Sequence, residues 1–336
     1  MARIIFYCND SISNINAFEY YKQDIDALRS LGHVVIICNK FREIPLEFDV
    51  LFIWWWTYAL YPLLLARLLR KPAIVTGTYN FKFPLDFAGM DYFSRPAWQR
   101  VLIRFATKLA TLNLFVNKGE MKACTEFFGL KNSRYLPHVI ADDYLKGPSE
   151  QRTLTLFNLA WSGRKNLIRK GIPELLQAVS LLKKNFPGIK LKLAGHDGDG
   201  TDFLRNLIEL HGVESVVEWL GPLSRDEKIR LLRECEIYVQ PSHYEGFGLA
   251  MAEAMGSGAC VITCDVGAVR DVVSDCGVYV PPGSPKDLAS AIEVVLTDRE
   301  MRKTLQQKAQ DRARTEFAFD SKLKRLREYL KEIGVW

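Results

Sequence analysis

The sequence lacks any apolar run long enough to cross a bilayer. Its longest, Leu51–Trp56 and Tyr58–Ala66, are separated by Thr57, and Arg67 and Arg70 follow; a spanning helix needs about 20 predominantly apolar residues. It shows no signal-peptide pattern. Met1-Ala2-Arg3 leads into a short apolar run that ends at Asn9-Asp10 without a small-residue cleavage site. No Cys-x-x-Cys pair occurs among the seven cysteines, of which Cys260 and Cys264 are the closest, and several lie inside apolar runs such as Val34–Cys38. This argues against a zinc site and predicts free, packed thiols in a reducing, cytoplasmic setting. Internal repeats and low-complexity segments are also missing. So is a strong charge of one sign: 45 Lys and Arg against 39 Asp and Glu leave +6. That excess excludes a strongly acidic disordered chain and gives no case for nucleic acid.

What is present is an ordinary soluble mix, 48% hydrophobic and 25% charged over 336 residues, a length that suggests about two domains. Short apolar runs alternate with helical patterns. Arg3–Cys8, His33–Cys38, Val50–Trp54 and Ala73–Thr76 read as strands, with helices over Tyr20–Leu31 and Tyr58–Arg70. The alternation lapses over 141–152, a polar stretch with Gly147-Pro148 that reads as a linker. It resumes with strands at Thr153–Leu159, Ile189–Ala194, Val216–Leu220, Glu236–Gln240 and Cys260–Thr263. Ser224-Arg225-Asp226-Glu227 reads as a capping box, and Ser284-Pro285 as another helix start. The expected class is α/β: two Rossmann-like domains with parallel sheets, 1–145 and 150–318, whose ligands bind beyond the carboxyl ends of the strands.

Two stretches carry chemistry. In Pro241-Ser242-His243-Tyr244-Glu245-Gly246-Phe247-Gly248-Leu249 and on to Glu253, a strand gives way to a helix. Gly246 and Gly248 allow close backbone approach, and the helix start favours a phosphate. Carboxylates touching that anion would repel it, so Glu245 and Glu253 read as hydroxyl ligands on either side, the pattern of a nucleotide sugar. The alternative is that the glycines only make a tight turn. The second stretch is Trp161-Ser162-Gly163-Arg164 to Arg169-Lys170-Gly171, read as a loop. Arg164 and Lys170 could clamp a diphosphate, or the segment, with Lys165 and Arg169, could be a solvated basic loop.

Together these motifs closely resemble the retaining nucleotide-sugar glycosyltransferases of family 4. The similarity spans roughly 155–295 and includes Gly195, Trp219-Leu220-Gly221-Pro222, Gly258–Ile262 and Gly267–Val273. The resemblance implies the GT-B fold, two Rossmann-like domains facing across a cleft, with a last helix in 319–336 crossing back to the N-terminal domain. It implies that Arg164 and Lys170 hold the donor diphosphate and stabilise the leaving group, that Glu245 faces the donor sugar, and that Glu253 binds the ribose. Gly163, Gly195 and the backbone of Gly246, Phe247, Gly248 and Leu249 complete the donor site. The implied reaction is transfer of a sugar to an acceptor hydroxyl with retention, the departing phosphate helping to take the acceptor proton. It needs no metal and no cofactor besides the co-substrate. Asp197-Gly198-Asp199 has the spelling of a metal motif but follows Gly195, and is read as loop-forming.

The N-terminal half departs from the family. No glycine stands in Asn9–Asn16, where Asn14 or Asn16 could substitute, and no His follows the fourth strand, where Asn80 stands instead. His138 lies ahead of the linker and His243 beside Glu245. Of Trp54-Trp55-Trp56, alternation sends Trp55 away from its neighbours, so Trp54 and Trp56 are candidates for acceptor contact, with core packing as the alternative. The expected acceptor is a glycan or lipid-linked hydroxyl, bound by the N-terminal half. Arg100, Arg104 and Lys108 recur every four residues opposite Trp98, Val101, Leu102, Phe105 and Leu109. That stripe fits either an anionic membrane surface, hence the inner face of the membrane, or an ordinary domain helix. Remaining alternatives are a sugar-nucleotide epimerase, a phosphorylase, or a non-catalytic sugar-nucleotide-binding protein.

Overall fold

Parallel strands are buried on both faces, and the sequence supplies near-continuous apolar runs for them. The computed structural model describes residues 1–82 and 91–336 and divides into two units, Met1–Val139 with Phe319–Trp336, and Ile140–Ala318.

In the first unit, β1 (Arg3–Cys8), β2 (Val34–Cys38), β3 (Val50–Trp54), β4 (Ala73–Gly77), β5 (Leu112–Phe115) and β6 (Ser133–Tyr135) form one sheet. Its order is β2-β1-β3-β4-β5-β6, with every pair parallel. β3 and β4 are buried at every position. One face is covered by helices Leu60–Leu68 and Ala97–Leu109, through Leu63, Ala66, Ile103 and Ala106. Helices Glu19–Ser30 and Phe319–Glu332 pack on each other and seat Tyr21, Ile25, Leu28, Leu326 and Leu330 with Ile4, Phe6 and Phe52 in a second core.

In the second unit, β7 (Thr153–Leu159), β8 (Leu191–Ala194), β9 (Val217–Trp219), β10 (Cys235–Gln240), β11 (Cys260–Cys264) and β12 (Gly277–Val280) take the order β12-β11-β10-β7-β8-β9, again all parallel. The chain runs outward from β7 to β9, then restarts at β10 on the other side of β7. The switch point is therefore the β7/β10 boundary, where an open α/β sheet leaves a crevice for a ligand. Tyr238 stands opposite Phe157, so the two carboxyl ends are level there.

Local expectations meet the structure closely at caps. Ser224 Oγ accepts from the Glu227 N–H at 3.3 Å while Glu227 Oε2 accepts from the Ser224 N–H at 2.9 Å. Ser284 caps the helix Pro285–Thr297. The stretch 141–152 differs from its reading as a spacer. Asp142–Leu145 is a helical turn, Tyr144 is buried, and a Cβ on Gly256 would lie 2.7 Å from Ile140 Cδ1 and 3.3 Å from Leu145 Cδ2. The unit boundary falls between Val139 and Ile140, ahead of residue 145. All seven cysteines are free and buried. Among the described residues no helix is long and apolar enough to cross a membrane.

Candidate functional site

The segments after β7 and β10 bring the sequence candidates to the switch point. Arg164–Arg169 is a short helix with Gly163 at its N-cap, so Arg164 and Lys170 flank a helix and do not share a loop. The Arg164 N–H donates to Asp199 Oδ1 at 2.9 Å. Its exposed guanidinium lies over the Phe203 ring, 4.8 Å from the centroid. Asp199 thus fastens the loop after Gly195 to the start of this helix. Among the described residues no group of three or more His, Cys, Asp and Glu could hold a metal ion.

Lys170 is turned the other way, into the sheet end, with its side chain 12% exposed and Nζ 2.8 Å from Glu245 Oε1. Glu245 is 5% exposed. Its Oε1 also accepts from Ser242 Oγ at 2.8 Å, Gln240 Nε2 at 2.9 Å and Arg169 Nη1 at 3.4 Å. Gln240 is fixed in turn by the Tyr238 hydroxyl, which donates to its Oε1 at 2.7 Å. Four donors therefore converge on one carboxylate oxygen, and Oε2 takes no hydrogen bond from the described residues. Burial pushes the Glu245 carboxyl up, but Lys170 and Arg169 outweigh it and hold the group below its ordinary range. Burial pulls the Lys170 ammonium below its ordinary value, opposed by Glu245.

Glycines set this loop by close approach. At Gly171 (φ +69°) an added Cβ would lie 2.1 Å from the Pro241 carbonyl oxygen, and at Gly267 (φ +54°) 2.1 Å from that of Glu245. The Ala268 N–H donates to the same Glu245 carbonyl at 2.9 Å. Gly248 is the N-cap of the helix Leu249–Gly256, which begins just after Gly246 and Phe247. Phe247 is buried and sets its ring edge-on to Phe317, 5.8 Å away. Two turns on, Glu253 is 3% exposed. Lys228 Nζ lies 2.7 Å from both of its carboxylate oxygens and 5.4 Å from the Tyr144 ring centroid. Gly195 closes β8, its N–H donating to the Gly221 carbonyl at 3.0 Å.

Sequence reasoning left Arg169 in a solvated loop. Its guanidinium donates to the Tyr244 carbonyl at 2.8 Å and to Asn166 Oδ1 at 2.7 Å as well as to Glu245, while its own carbonyl accepts from the His243 N–H at 2.8 Å. It ties residues 243–245 to the Arg164–Arg169 helix. Lys228 was likewise passed over; a third cation beside Lys170 and a Lys on the helix capped by Ser224 were the available signals. His243 Nε2 lies 2.9 Å from Glu174 Oε1, so its ring engages a neighbouring helix.

The first-unit candidates are corrected. Trp54 is 1% exposed and donates to Asp24 Oδ2 at 2.9 Å; Trp56 is 3% exposed and donates to Asn113 Oδ1 at 2.8 Å. Both are core residues with satisfied indole N–H groups, and neither offers a ring face from this unit. His138 is also buried. It contacts Gln23 Nε2 through Nδ1 at 3.0 Å and stacks at 6.1 Å on Trp54. Asn14, in the short helix Ile12–Ala17, donates to Asp10 Oδ1 just ahead of that helix at 2.8 Å. Asn80 takes a positive φ of 53°, and its carbonyl accepts from the Tyr92 N–H at 3.0 Å.

Burial, with Lys322 adding to it, lowers the His138 pKa to about 3. The ring is thus neutral in the folded protein and takes a proton more readily unfolded. Stability is full above the ordinary His value near 6.5 and falls as pH drops from there towards 3, by about 1.4 kcal/mol per pH unit. The melting temperature of the protein is expected to fall between pH 6.5 and 5, above the range where most carboxylates titrate. The slope should flatten in His138→Gln; equal slopes would show that His138 is not the group responsible.

Comparisons with known proteins bear on the family and the fold. Residues 164–312 match the model of the family described as glycosyl transferases group 1. The chain is 33% identical over 131 residues to glycogen synthase of Mycobacterium tuberculosis, covering 38% of this chain and 31% of that one. It is 32% identical over 169 residues to the O-antigen chain mannosyltransferase B of Escherichia coli, covering 47% and 44%. The matches thus take in less than half the length of these curated relatives. Among solved structures, Anabaena HepE in complex with UDP and glucose aligns with a TM-score of 0.78 at 17% identity, over 99% of this chain and 100% of that one. Sucrose-phosphate synthase from Thermosynechococcus elongatus aligns with a TM-score of 0.73 at 18% identity, over 99% of both chains. The fold is of the GT-B class, two Rossmann-like units. The match to the glycosyl transferases group 1 takes in residues 164–312, within its second unit.

Proposed function

We propose that the protein is a retaining glycosyltransferase that moves a sugar from a nucleoside-diphosphate sugar to an acceptor hydroxyl, in the synthesis of a glycan, polysaccharide or glycolipid. The observation that carries the reading is the Glu245 carboxylate at the switch point. Oε1 is saturated by protein donors, so the ionised group is held still while Oε2 is left to accept from a ligand hydroxyl. In this reading Glu245 orients the donor sugar and Glu253, paired with Lys228, accepts from the ribose hydroxyls. The diphosphate lies between them, at the first amides of the Leu249–Gly256 helix, where N–H groups and the helix dipole favour an anion.

Bond breaking at the anomeric carbon pushes negative charge onto the departing phosphate. Lys170 and Arg164 neutralise that charge as it develops. Arg164 reaches it by turning away from Phe203, which its exposed side chain allows. With retention, the acceptor approaches on the face the phosphate leaves, and a phosphate oxygen takes the acceptor proton. No metal has a role in this scheme, and the acceptor is assigned to the first unit.

The reading is tested by thermal shift against UDP, GDP, ADP and their sugars, followed by turnover with and without acceptor. One nucleoside diphosphate should raise the melting temperature by several degrees, since ligand at about a hundred times its Kd stabilises by about 2.7 kcal/mol. That nucleoside diphosphate should be released from its sugar only when acceptor is present, the sugar passing to the acceptor with retained anomeric configuration, and also in the presence of EDTA. Acceptor-independent turnover would indicate an epimerase, turnover with free phosphate a phosphorylase, and tight binding without turnover a non-catalytic binder. The absence of any nucleotide-dependent shift would remove the proposal.

A further inference from the structure

Helix Ala97–Leu109 has two apolar faces, and the core uses only one. Ile103, Ala106 and Thr107 are buried, while Trp98, Val101 and Phe105 are 62%, 50% and 56% exposed. At the α-helical repeat those three side chains fall within roughly 60° of one another, on the side away from the buried residues. Helix Leu60–Leu68, which packs against it, repeats the arrangement. Pro62, Leu63 and Ala66 are buried, and Tyr61, Leu64 and Leu68 are 67%, 46% and 80% exposed. The spacing of the two exposed triplets is identical. Both helices seat their buried faces in the same core, so both exposed faces turn away from one side of the sheet. Tyr58, in the turn just ahead, is exposed too.

Single exposed apolar residues are ordinary, but a contiguous apolar face on two neighbouring helices marks an interaction site. Its rim is basic. Arg100, Arg104 and Lys108 follow one edge of the Ala97–Leu109 stripe. Arg67 holds the place on the other helix that Arg104 holds here, six residues after the first apolar member of the triplet. Residues 50–119 contain nine Lys and Arg against two Asp, an excess of seven, where the whole chain has +6. A second copy docked face to face would set this charge against itself. Anionic headgroups complement it, and the aromatic and aliphatic side chains suit the boundary beneath them.

We infer that the face formed by helices Leu60–Leu68 and Ala97–Leu109 docks on an anionic lipid bilayer. This stands apart from the transferase reading and is tested separately, by co-sedimentation with vesicles of phosphatidylcholine alone or mixed with phosphatidylglycerol. The protein should bind the mixed vesicles at low salt, leave them at high salt, and ignore the neutral ones. Each cation removed should weaken binding about fivefold, so Arg100→Gln/Arg104→Gln/Lys108→Gln together should weaken it about a hundredfold. Tyr61→Ser/Leu68→Ser should weaken it at least about tenfold, as should Trp98→Ser/Phe105→Ser. Arg100 is half-buried and the other positions are exposed, so unchanged melting curves will show that the variants fold. No binding to mixed vesicles at low salt, or equal binding by the variants, overturns the inference. So does a concentration-dependent dimer that the same substitutions abolish.

Discussion

Lys170→Ala is expected to lower kcat at least about a hundredfold while leaving a folded protein. Lys170 is the cation turned into the sheet end, its side chain 12% exposed and its Nζ 2.8 Å from Glu245 Oε1. Removing one preorganised group that stabilises developing charge typically costs about 10²–10³ in kcat. In the proposed reaction the loss falls on kcat more than on KM, because the charge that Lys170 would meet grows as the phosphate departs. Truncation also withdraws one partner from a buried carboxylate, which by itself costs about 3–5 kcal/mol. Here Arg169, Gln240 and Ser242 remain on Oε1, so the fall in melting temperature should be smaller than that figure implies. Lys170→Arg keeps the charge without the fit and should recover only part of the rate. Steady-state kinetics with melting curves for both variants check this. Near-normal kcat in Lys170→Ala would remove Lys170 from the chemistry.

The largest effect on stability is expected from Lys322→Met. Lys322 is 1% exposed, and its Nζ lies 2.6 Å from Asp24 Oδ1, 3.2 Å from Gln23 Oε1 and 3.4 Å from the Pro137 carbonyl. Burial pushes the Asp24 carboxyl above its usual range even though Lys322 and the Trp54 N–H oppose it. Without Lys322 the carboxylate keeps only a neutral donor. A buried charge left unpaired in this way costs about 3–5 kcal/mol, or on the order of 10 °C in melting temperature for a unit of this size. Asp24→Asn/Lys322→Met should return most of the loss, because the charge and its partner leave together. Melting curves for the two singles and the double settle it: a Lys322→Met protein as stable as the original would mean that the pair contributes nothing.

The second-unit site was legible because its residues are local in sequence. One strand end, one loop and one helix start hold Glu245, Gly246, Gly248 and Glu253, so their spacing alone suggested where each would stand. What pairs with these groups was harder to read. Lys228 comes from another helix and Arg169 from a run that looked like solvated charge, and only the tertiary fold turns both onto carboxylates.

The first unit was less legible for a different reason. Alternation along β3 tells which face a side chain takes, but a parallel sheet is covered on both faces. Trp54, at the end of β3, therefore meets packing whichever way it points; Trp56 lies in the turn after the strand, where alternation has ended, and is buried as well, and His138 is buried with Trp54. The 141–152 stretch misled through its Gly-Pro turn. The spacing of Ile140, Tyr144 and Leu145 was the better signal, since those side chains anchor the turn. The amphipathic pattern of Ala97–Leu109 was visible, but not which apolar residues the sheet would cover.

Gly171 and Gly267 have a consequence for how a protein built this way could diversify. Each abuts a carbonyl oxygen of the loop after β10 so closely that no side chain fits. Three segments far apart in sequence are thereby interlocked at the backbone, and a change in any one displaces the others. Change in this site is therefore open to exposed side chains nearby, such as Trp161 two residues ahead of Gly163, and closed to insertions or substitutions at the interlocked glycines.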